Sequence, residues 1–252
     1  MSASVRIVQL YPVELGITGD RGNVRALQVR LERAGVVVDV QRVGIGESIP
    51  SETDIIVLGN GPLSAMRIVA DDLRSRAAEL EEFVASGRSL FAVGASAELL
   101  SEGVDVLDGT ALEGLGIFPF RVARTRERNV GYIIAESSLG RIIGFEDHAS
   151  RWTLREGADV VGTVVAGKGS FAHDGGAGET VRRGESFATN VQGPALPLNP
   201  EWTRAIIDAV ATRRGIESIT AADHGRLDEY ADGARQAIEH LVHSKDFSTI
   251  GL

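Results

Sequence analysis

The sequence contains no cysteine among its 252 residues. This absence excludes disulfides, thiolate metal sites, iron–sulfur clusters and catalysis by a thiol. Its five histidines are scattered along the chain, and no pair of them has the spacing that is typical of a metal site. We therefore expect neither a metal ion nor any other cofactor.

Long apolar runs and an excess of basic charge are also missing. No apolar run is long enough to span a bilayer, and Arg6 interrupts the apolar stretch near the N-terminus, which lacks the layout of a signal peptide. The 35 acidic residues outnumber the 26 basic ones, and the formal charge of -9 opposes attraction to phosphate backbones. We expect a cytoplasmic protein that has no membrane span and binds no nucleic acid.

The first half of the chain alternates short β-branched runs with amphipathic helical patterns. Hydrophobic residues make up 43% of the chain, which is enough for one large buried core. The alternation predicts a parallel sheet covered on both faces, with helices that stop at Gly35 and Gly87. The predicted strands are Val5 to Leu10, Val36 to Val40, Asp54 to Leu58 and Ser89 to Val93, and the predicted helices are Asn23 to Arg33 and Asp71 to Ala85.

The second half has strand patterns without long helices between them, which predicts antiparallel strands added to the sheet. The glycine-rich stretch from Gly167 to Gly178 reads as a surface loop. Near the end we predict two helices, the second of which packs on its own domain. We divide the chain into a domain at 1–214 and a helical extension at 215–252. The predicted strands are Gly131 to Glu136, Arg141 to Phe145, Val160 to Val165 and Ser186 to Val191, and the helices are Glu201 to Arg213 and a stretch around Leu227 to Leu241.

A series of short motifs resembles the CobB/CobQ-type glutamine amidotransferases, and within them most of all the GatD branch. The resemblance implies a three-layer α/β sandwich of the class I amidotransferase type, with a flavodoxin-like parallel central sheet and added antiparallel strands. The motifs that carry it are Leu10-Tyr11-Pro12, Gly19 to Asn23, Gly59-Asn60-Gly61, Gly114 to Ile117, Arg128 to Gly131, Gly144 to His148 with Arg151, Gly193-Pro194 and Asn199-Pro200.

The same resemblance identifies two catalytic positions, and neither holds a catalytic residue. The family's turn of the type Ile-Cys-Gly-Gly-Tyr-Gln-Leu-Leu corresponds here to a turn in which Gly94 stands at the nucleophile's position. In the second motif, Gln192 replaces the histidine base. The family's reaction needs a thiolate that attacks the glutamine carboxamide and a histidine that moves the proton. We therefore expect no glutaminase activity above background. A glycine also fits the sharp turn that a nucleophile elbow requires.

The resemblance also implies candidate substrate-binding residues. The turn formed by Gly59, Asn60 and Gly61 resembles the family's oxyanion turn, whose backbone N–H groups face a tetrahedral intermediate. Arg128 matches an arginine near the family's glutamine site, where a guanidinium can clamp a carboxylate. The alternative interpretations are a plain tight turn and a surface arginine.

Three further features have structural interpretations that we favour. We expect Glu146 and His148, with Arg151, to hold a loop in shape rather than to form an acid–base site. Ser96 is a poor candidate for a serine nucleophile. It lies two residues after the elbow, and Glu98 stands where the Gly-x-Ser-x-Gly pattern has its last glycine. Asp20, which precedes a predicted helix, reads as a helix cap.

These observations lead to one favoured function and two alternatives. The favoured one is a non-catalytic GatD-like subunit that partners a MurT-type, Mur-ligase-like protein in the amidation of lipid II, a cell-wall precursor, or in its regulation. The second is a sensor that binds glutamine, another amino acid or a small carboxylate through Arg128. The third is an amidotransferase that uses an unrecognised nucleophile such as Ser96.

Overall fold

The computed structural model describes residues 3–242 of the chain. The strands in this range are β1 Ser4–Leu10, β2 Val37–Val43, β3 Ile55–Leu58, β4 Ser89–Val93, β5 Gly103–Asp105, β6 Ala111–Glu113, β7 Phe120–Ser137, β8 Ile142–Leu154, β9 Asp159–Ala166, β10 Phe171–His173, β11 Gly176–Arg183, β12 Ser186–Thr189 and β13 Val191–Gln192. The helices are α1 Arg21–Arg33, α2 Leu63–Ser75, α3 Ala77–Ala85, α4 Ala95–Leu99, α5 Ala195–Leu198, α6 Pro200–Arg214, α7 Glu217–Thr220 and α8 Gly225–Val242.

One large mixed sheet runs through the described part of the chain, in the order β13-β8-β7-β9-β11-β12-β4-β3-β1-β2. Strands β1 to β4 pair in parallel, and β12 joins β4 in parallel. The pairs of β7 with β8 and β9, of β11 with β9 and β12, and of β13 with β8 are antiparallel. This arrangement confirms the predicted α/β class, with a parallel first half to which antiparallel strands are added.

The central parallel strands β3 and β4 are buried on both faces, which explains their nearly continuous apolar sequences. Every residue of β3 and β4 is buried. Two apolar clusters cover the faces of the sheet, one containing Tyr11 and Met66 and the other containing Leu27 and Trp202. The sheet and the layers that cover its two faces make a three-layer molecule. In open α/β sheets, sites form at the carboxyl ends of the parallel strands, and we expect the site of this protein there.

Helix α1 follows the apolar spacing of its sequence. Val24, Leu27 and Leu31 are buried on one side, because residues three and four apart share a helix face. Gly35 follows the end of the helix with a φ of 76°, a left-handed conformation that glycine adopts without strain.

The predicted helix from Asp71 to Ala85 is wrong in its boundaries, because two helices cover this region. Helix α2 begins at Leu63, and Arg76 separates it from α3. The Arg76 side chain is buried and donates to Asp72 Oδ2 at 2.8 Å and to Tyr11 Oη at 3.1 Å. This buried arginine ties the junction between the two helices to the loop that follows β1.

The predicted surface loop from Gly167 to Gly178 is also wrong in part, because it contains a strand pair. Phe171 pairs with Gly178 and Ala172 pairs with Ala177 between β10 and β11. A Cβ on Gly178 would lie 2.2 Å from the Phe171 ring, so the glycine allows close packing here rather than flexibility.

Helix α8 lies against α5 and the β7–β8 hairpin. Ala231 is its one fully buried residue, and ion pairs such as the one from Asp228 to Arg30 hold the helix in place. Residues 243–252 of the predicted extension lie outside the described residues, and the division at residue 214 stays a prediction. Within residues 3–242, no helix has the length and apolar character that crossing a membrane requires.

Candidate functional site

Strand β4 ends at the carboxyl edge of the parallel sheet and turns sharply into α4 at Gly94. Gly94 has φ 57° and ψ -116°, a conformation that residues with a Cβ rarely adopt. Its N–H donates to Thr189 O at 2.8 Å, and its carbonyl accepts from Glu98 N at 3.0 Å. The turn is therefore fixed between the neighbouring strand β12 and the first turn of α4.

The Asn60 side chain covers this turn. Asn60 lies just beyond β3, and its Oδ1 accepts a hydrogen bond from the Ala95 N–H at 2.8 Å. A Cβ built on Gly94 would lie 2.3 Å from the same Oδ1 atom. The carboxamide thus fills the space that a side chain at residue 94 would need, and it takes up the backbone donor that follows the turn.

Gln192 extends this contact towards β8. Its Oε1 accepts from Asn60 Nδ2 at 3.1 Å, and its Nε2 donates to Asp147 O at 3.0 Å. Gln192 is 3% exposed. The structure therefore brings together three sequence motifs in one hydrogen-bonded chain, and each side-chain amide in it has a protein partner.

The turn that carries Asn60 is held in place by hydrogen bonds to the loop between β1 and α1. The Asn60 N–H donates to Asp20 Oδ2 at 3.2 Å, and the Ile17 N–H donates to Asn60 O at 3.2 Å. A Cβ on Gly59 would lie 2.3 Å from Leu15 O, so only glycine fits there. Both backbone polar groups of Asn60 are thus bound to the protein.

The predicted capping role of Asp20 is wrong. The N-terminus of α1 has no side-chain cap hydrogen bond. The Asp20 carboxylate instead accepts from Asn60 N and from Thr18 Oγ1, the latter at 3.1 Å. Burial raises the pKa of Asp20, while these hydrogen bonds act in the opposite direction. The contact joins two loops that are distant in sequence, so a local motif could not reveal it.

Arg128 lies close to the same network but is already paired. Its Nε donates to Asp147 Oδ1 at 2.5 Å, and the guanidinium is about half exposed. The hydrogen bond raises the pKa of Arg128, so this side chain stays charged. The carboxylate of Asp147 makes the contact that a bound carboxylate would otherwise make.

Ser96 has no geometry for nucleophilic chemistry. The residue is fully buried, and its Oγ accepts from Val93 N at 3.0 Å. The hydroxyl lies within reach of two carbonyl acceptors, Leu58 O at 3.1 Å and Val93 O at 3.0 Å. These contacts make Ser96 a staple between β3, β4 and α4.

The structure keeps Glu146 and His148 of the predicted cluster together on β8, with His148 Nε2 3.8 Å from Glu146 Oε2, and separates Arg151 from them. Glu146 is buried and accepts from Lys168 N at 2.7 Å and from Gly169 N at 3.0 Å. His148 shares that buried face, and its Nδ1 lies 3.2 Å from Ser150 O. Arg151 projects from the other face and is exposed. Glu146 therefore holds the loop after β9 in shape. Side chains alternate between the two faces of a strand, and this alternation along β8 places Arg151 on the face opposite to Glu146 and His148.

A buried ion pair one turn along α4 was not anticipated. Glu98 is 1% exposed, and its Oε2 lies 2.7 Å from Arg124 Nη2 on β7. Burial raises the pKa of Glu98, and the nearby Arg124 charge opposes this shift. The sequence signal was an acidic residue in the run from Ala95 to Leu100, where the other residues are apolar apart from Ser96.

Glu179 forms a second buried acidic centre behind the site. It accepts from Ser170 Oγ at 2.5 Å, Asn190 N at 2.8 Å and Thr189 Oγ1 at 2.9 Å. Burial raises the pKa of Glu179 against the effect of these donors. The carboxyl group fixes the segment that leads into Gln192.

The fold is that of the class I glutamine amidotransferases. The structure of PurLQS from Thermotoga maritima matches with a TM-score of 0.58 and 16% identity, over 82% of this chain and 99% of that one. A crystal structure of a glutamine amidotransferase matches with a TM-score of 0.53 and 18% identity, over 81% and 98%. At these identities the likeness concerns the fold.

Sequence comparison then gives the family. The profile of the CobB/CobQ-like glutamine amidotransferase domain matches residues 6–199. The chain therefore belongs to the CobB/CobQ-like glutamine amidotransferase family.

Two curated relatives carry the name lipid II isoglutaminyl synthase (glutamine-hydrolyzing) subunit GatD. The one from Staphylococcus aureus (strain N315) is 30% identical over 205 residues, which are 81% of this chain and 83% of that protein. The one from Streptococcus pneumoniae (strain ATCC BAA-255 / R6) is 27% identical over 214 residues, 83% and 82% of the two chains. The predicted resemblance to GatD is thus confirmed.

Proposed function

We propose that this chain is a non-catalytic GatD-like subunit, a pseudo-glutaminase. The observation that carries this proposal is the contact between residues 94 and 60. Gly94 offers no nucleophile, and the Asn60 carboxamide holds the Ala95 N–H that would otherwise face a reaction intermediate. Gln192, at the base position, has an amide side chain that does not accept a proton near neutral pH.

The proposed partner is a MurT-type, Mur-ligase-like protein. GatD-named relatives match more than four fifths of this chain, so the similarity extends well beyond the site. The scaffold around the vacated position is fully built, with close-packed glycines and paired backbone groups. A scaffold that persists without its reaction supports a binding role, namely docking, stabilisation or regulation in cell-wall precursor amidation.

The test is to co-express this chain with a Mur-ligase-like protein from the same genome and to measure two properties. Size-exclusion chromatography at micromolar concentration reports complex formation, and an ammonia assay with glutamine reports hydrolysis. A GatD-like chain that keeps its cysteine, mixed with its own partner, is the positive control. We expect a stable complex without ammonia release.

Two outcomes would contradict the proposal. Absence of a complex at that concentration would remove the partner role, and glutamine hydrolysis by the wild-type complex would remove the pseudoenzyme assignment. If activity were found, Ser96→Ala would test the hypothesis that Ser96 is the nucleophile. Loss of activity in this variant is expected only if the Ser96 hydroxyl reacts.

The two alternative functions need contacts of the native structure to break. A sensor that clamps a carboxylate in two-pronged fashion through Arg128 Nε has to displace Asp147 from that atom. A nucleophilic Ser96 has to leave its buried hydrogen bonds to β3 and β4. The pseudo-glutaminase proposal requires neither change.

A further inference from the structure

We propose that Asn60 is an internal ligand of the vacated site, and that removing its side chain opens a binding site for a free primary carboxamide. The inference rests on the proposed function, because it concerns the same pocket. Its basis is that the Asn60 amide makes one accepted and one donated hydrogen bond there, with Ala95 N at 2.8 Å and Gln192 Oε1 at 3.1 Å.

The two contacts are the ones that a primary amide can make. A carboxamide has one carbonyl acceptor and an NH₂ group with two donors. Asn60 places the carbonyl against a backbone donor and the NH₂ group against a side-chain acceptor. Any ligand that ends in the same group, such as the side chain of glutamine, can reproduce both.

The backbone around Asn60 does not depend on this amide. Asp20 accepts from the Asn60 N–H, Ile17 donates to its carbonyl, and the flanking glycines are closely packed. A Cβ on Gly61 would lie 2.7 Å from Glu14 O. Truncating the Asn60 side chain therefore leaves the turn in place and frees the Ala95 N–H and the Gln192 Oε1.

The Asp147 carboxylate occupies Arg128 at the other end of this hydrogen-bonded network. Asp147 Oδ1 binds Arg128 Nε at 2.5 Å, and Asp147 O accepts from Gln192 Nε2 at 3.0 Å. The protein thus supplies an amide at one end of the network and a carboxylate at the other. These are two of the functional groups that a glutamine molecule carries.

Isothermal titration calorimetry of variants tests the inference with two probes. Glutamine carries both an amide and a carboxylate, whereas butyramide carries the amide alone. We expect no saturable binding to the wild type and at least ~10-fold tighter binding of both probes to Asn60→Ala. Adding Asp147→Ala removes the side-chain acceptor from Arg128 and is expected to strengthen the binding of glutamine but not of butyramide.

Gln41→Ala, which truncates an exposed amide on β2, is the matched control and should behave like the wild type. Circular dichroism verifies that each variant is folded, and Asn60→Gly provides a second truncation. Folded Asn60 variants that bind neither probe would overturn the inference, as would wild-type binding equal to that of Asn60→Ala. Failure to form a complex with a Mur-ligase-like protein would contradict the proposed function but not this inference.

Discussion

A missing Cβ at residue 94 has two separate physical consequences. The left-handed φ of 57° is accessible to glycine at little cost, and the space beside the Cα belongs to the Asn60 amide, 2.3 Å from where a Cβ would lie. The residue is thus constrained by its own backbone and by a partner that is 34 positions away in the sequence. Any side chain introduced at residue 94 meets both constraints.

The first prediction concerns the cost of that Cβ. We expect Gly94→Ala to lower the free energy of unfolding by ~1–3 kcal/mol, because it adds strain and a clash. Urea unfolding measures this loss. In an Asn60→Gly background the loss should be smaller, and additive effects of the two substitutions would show that the side chains do not compete for space.

The second prediction concerns restored chemistry. Gly94→Cys with Gln192→His supplies a thiol and a base, yet we expect this pair to release no ammonia from glutamine because Asn60 occupies the thiol's space. Addition of Asn60→Gly is expected to give measurable hydrolysis. The triple variant with serine instead of cysteine at residue 94 is the control, and activity in the double variant alone would contradict the occlusion.

At the scale of elements, the helix behind the turn carries a charge into the core. Glu98 on α4 and Arg124 on β7 form a buried pair between the helix layer and the antiparallel half of the sheet. Removing one partner of such a pair leaves an uncompensated charge, which costs more than the pair contributes. The position of α4 against β7 therefore depends on both residues.

The third prediction follows from the raised pKa of Glu98. The folded chain binds this proton more tightly than the unfolded chain, so stability falls as the pH rises from the ordinary carboxyl pKa towards the raised one. Arg124→Met removes the charge that opposes the shift. We expect the variant to lose ~1–3 kcal/mol more than the wild type between about pH 5 and about pH 8.

Urea unfolding at the two pH values measures this difference. The double variant Glu98→Gln with Arg124→Met should not show the additional loss, since its residue 98 does not titrate. An equal additional loss in the single and double variants would show that another group, such as buried Glu179, is responsible.

At the scale of the whole molecule, the last described helix is attached mainly through charged contacts. Asp228 on α8 binds Arg30 at 2.5 Å and Arg204 at 3.0 Å, and Arg141 binds Glu239 at 2.8 Å. The Arg30 side chain is 3% exposed, so its charge depends on Asp228 for compensation. The C-terminal helix and the central layers are coupled at this point.

The fourth prediction tests that coupling. Asp228→Asn leaves the buried Arg30 charge without its charged partner. We expect the free energy of unfolding to fall by ~1–3 kcal/mol, less than for a fully buried pair because Asp228 is partly exposed. Limited proteolysis should cut α8 faster in this variant. Asp232→Asn, an exposed position on the same helix, is the control, and equal cleavage of both would contradict a clamping role for Asp228.

The sequence by itself determined the architecture and the absence of a thiol. Alternating β-branched runs and amphipathic helices fix a parallel sheet, because these patterns are local and repeated. The motif resemblance is the basis on which we propose Gly94 and Gln192 as the positions of the nucleophile and the base. The break at Arg76 and the β10–β11 hairpin escaped prediction because buried contacts from distant residues decide them.

Only the tertiary structure decided what fills the space beside Gly94. The carboxyl ends of β3 and β4 lie side by side, so Asn60 meets Gly94, and the antiparallel pairing of β13 with β8 brings Gln192 and Asp147 to the same place. Sequence patterns report local periodicity, whereas these contacts join residues 34 to 132 positions apart. The sequence showed that a thiol is absent, and the fold brought a side-chain amide against the turn at Gly94.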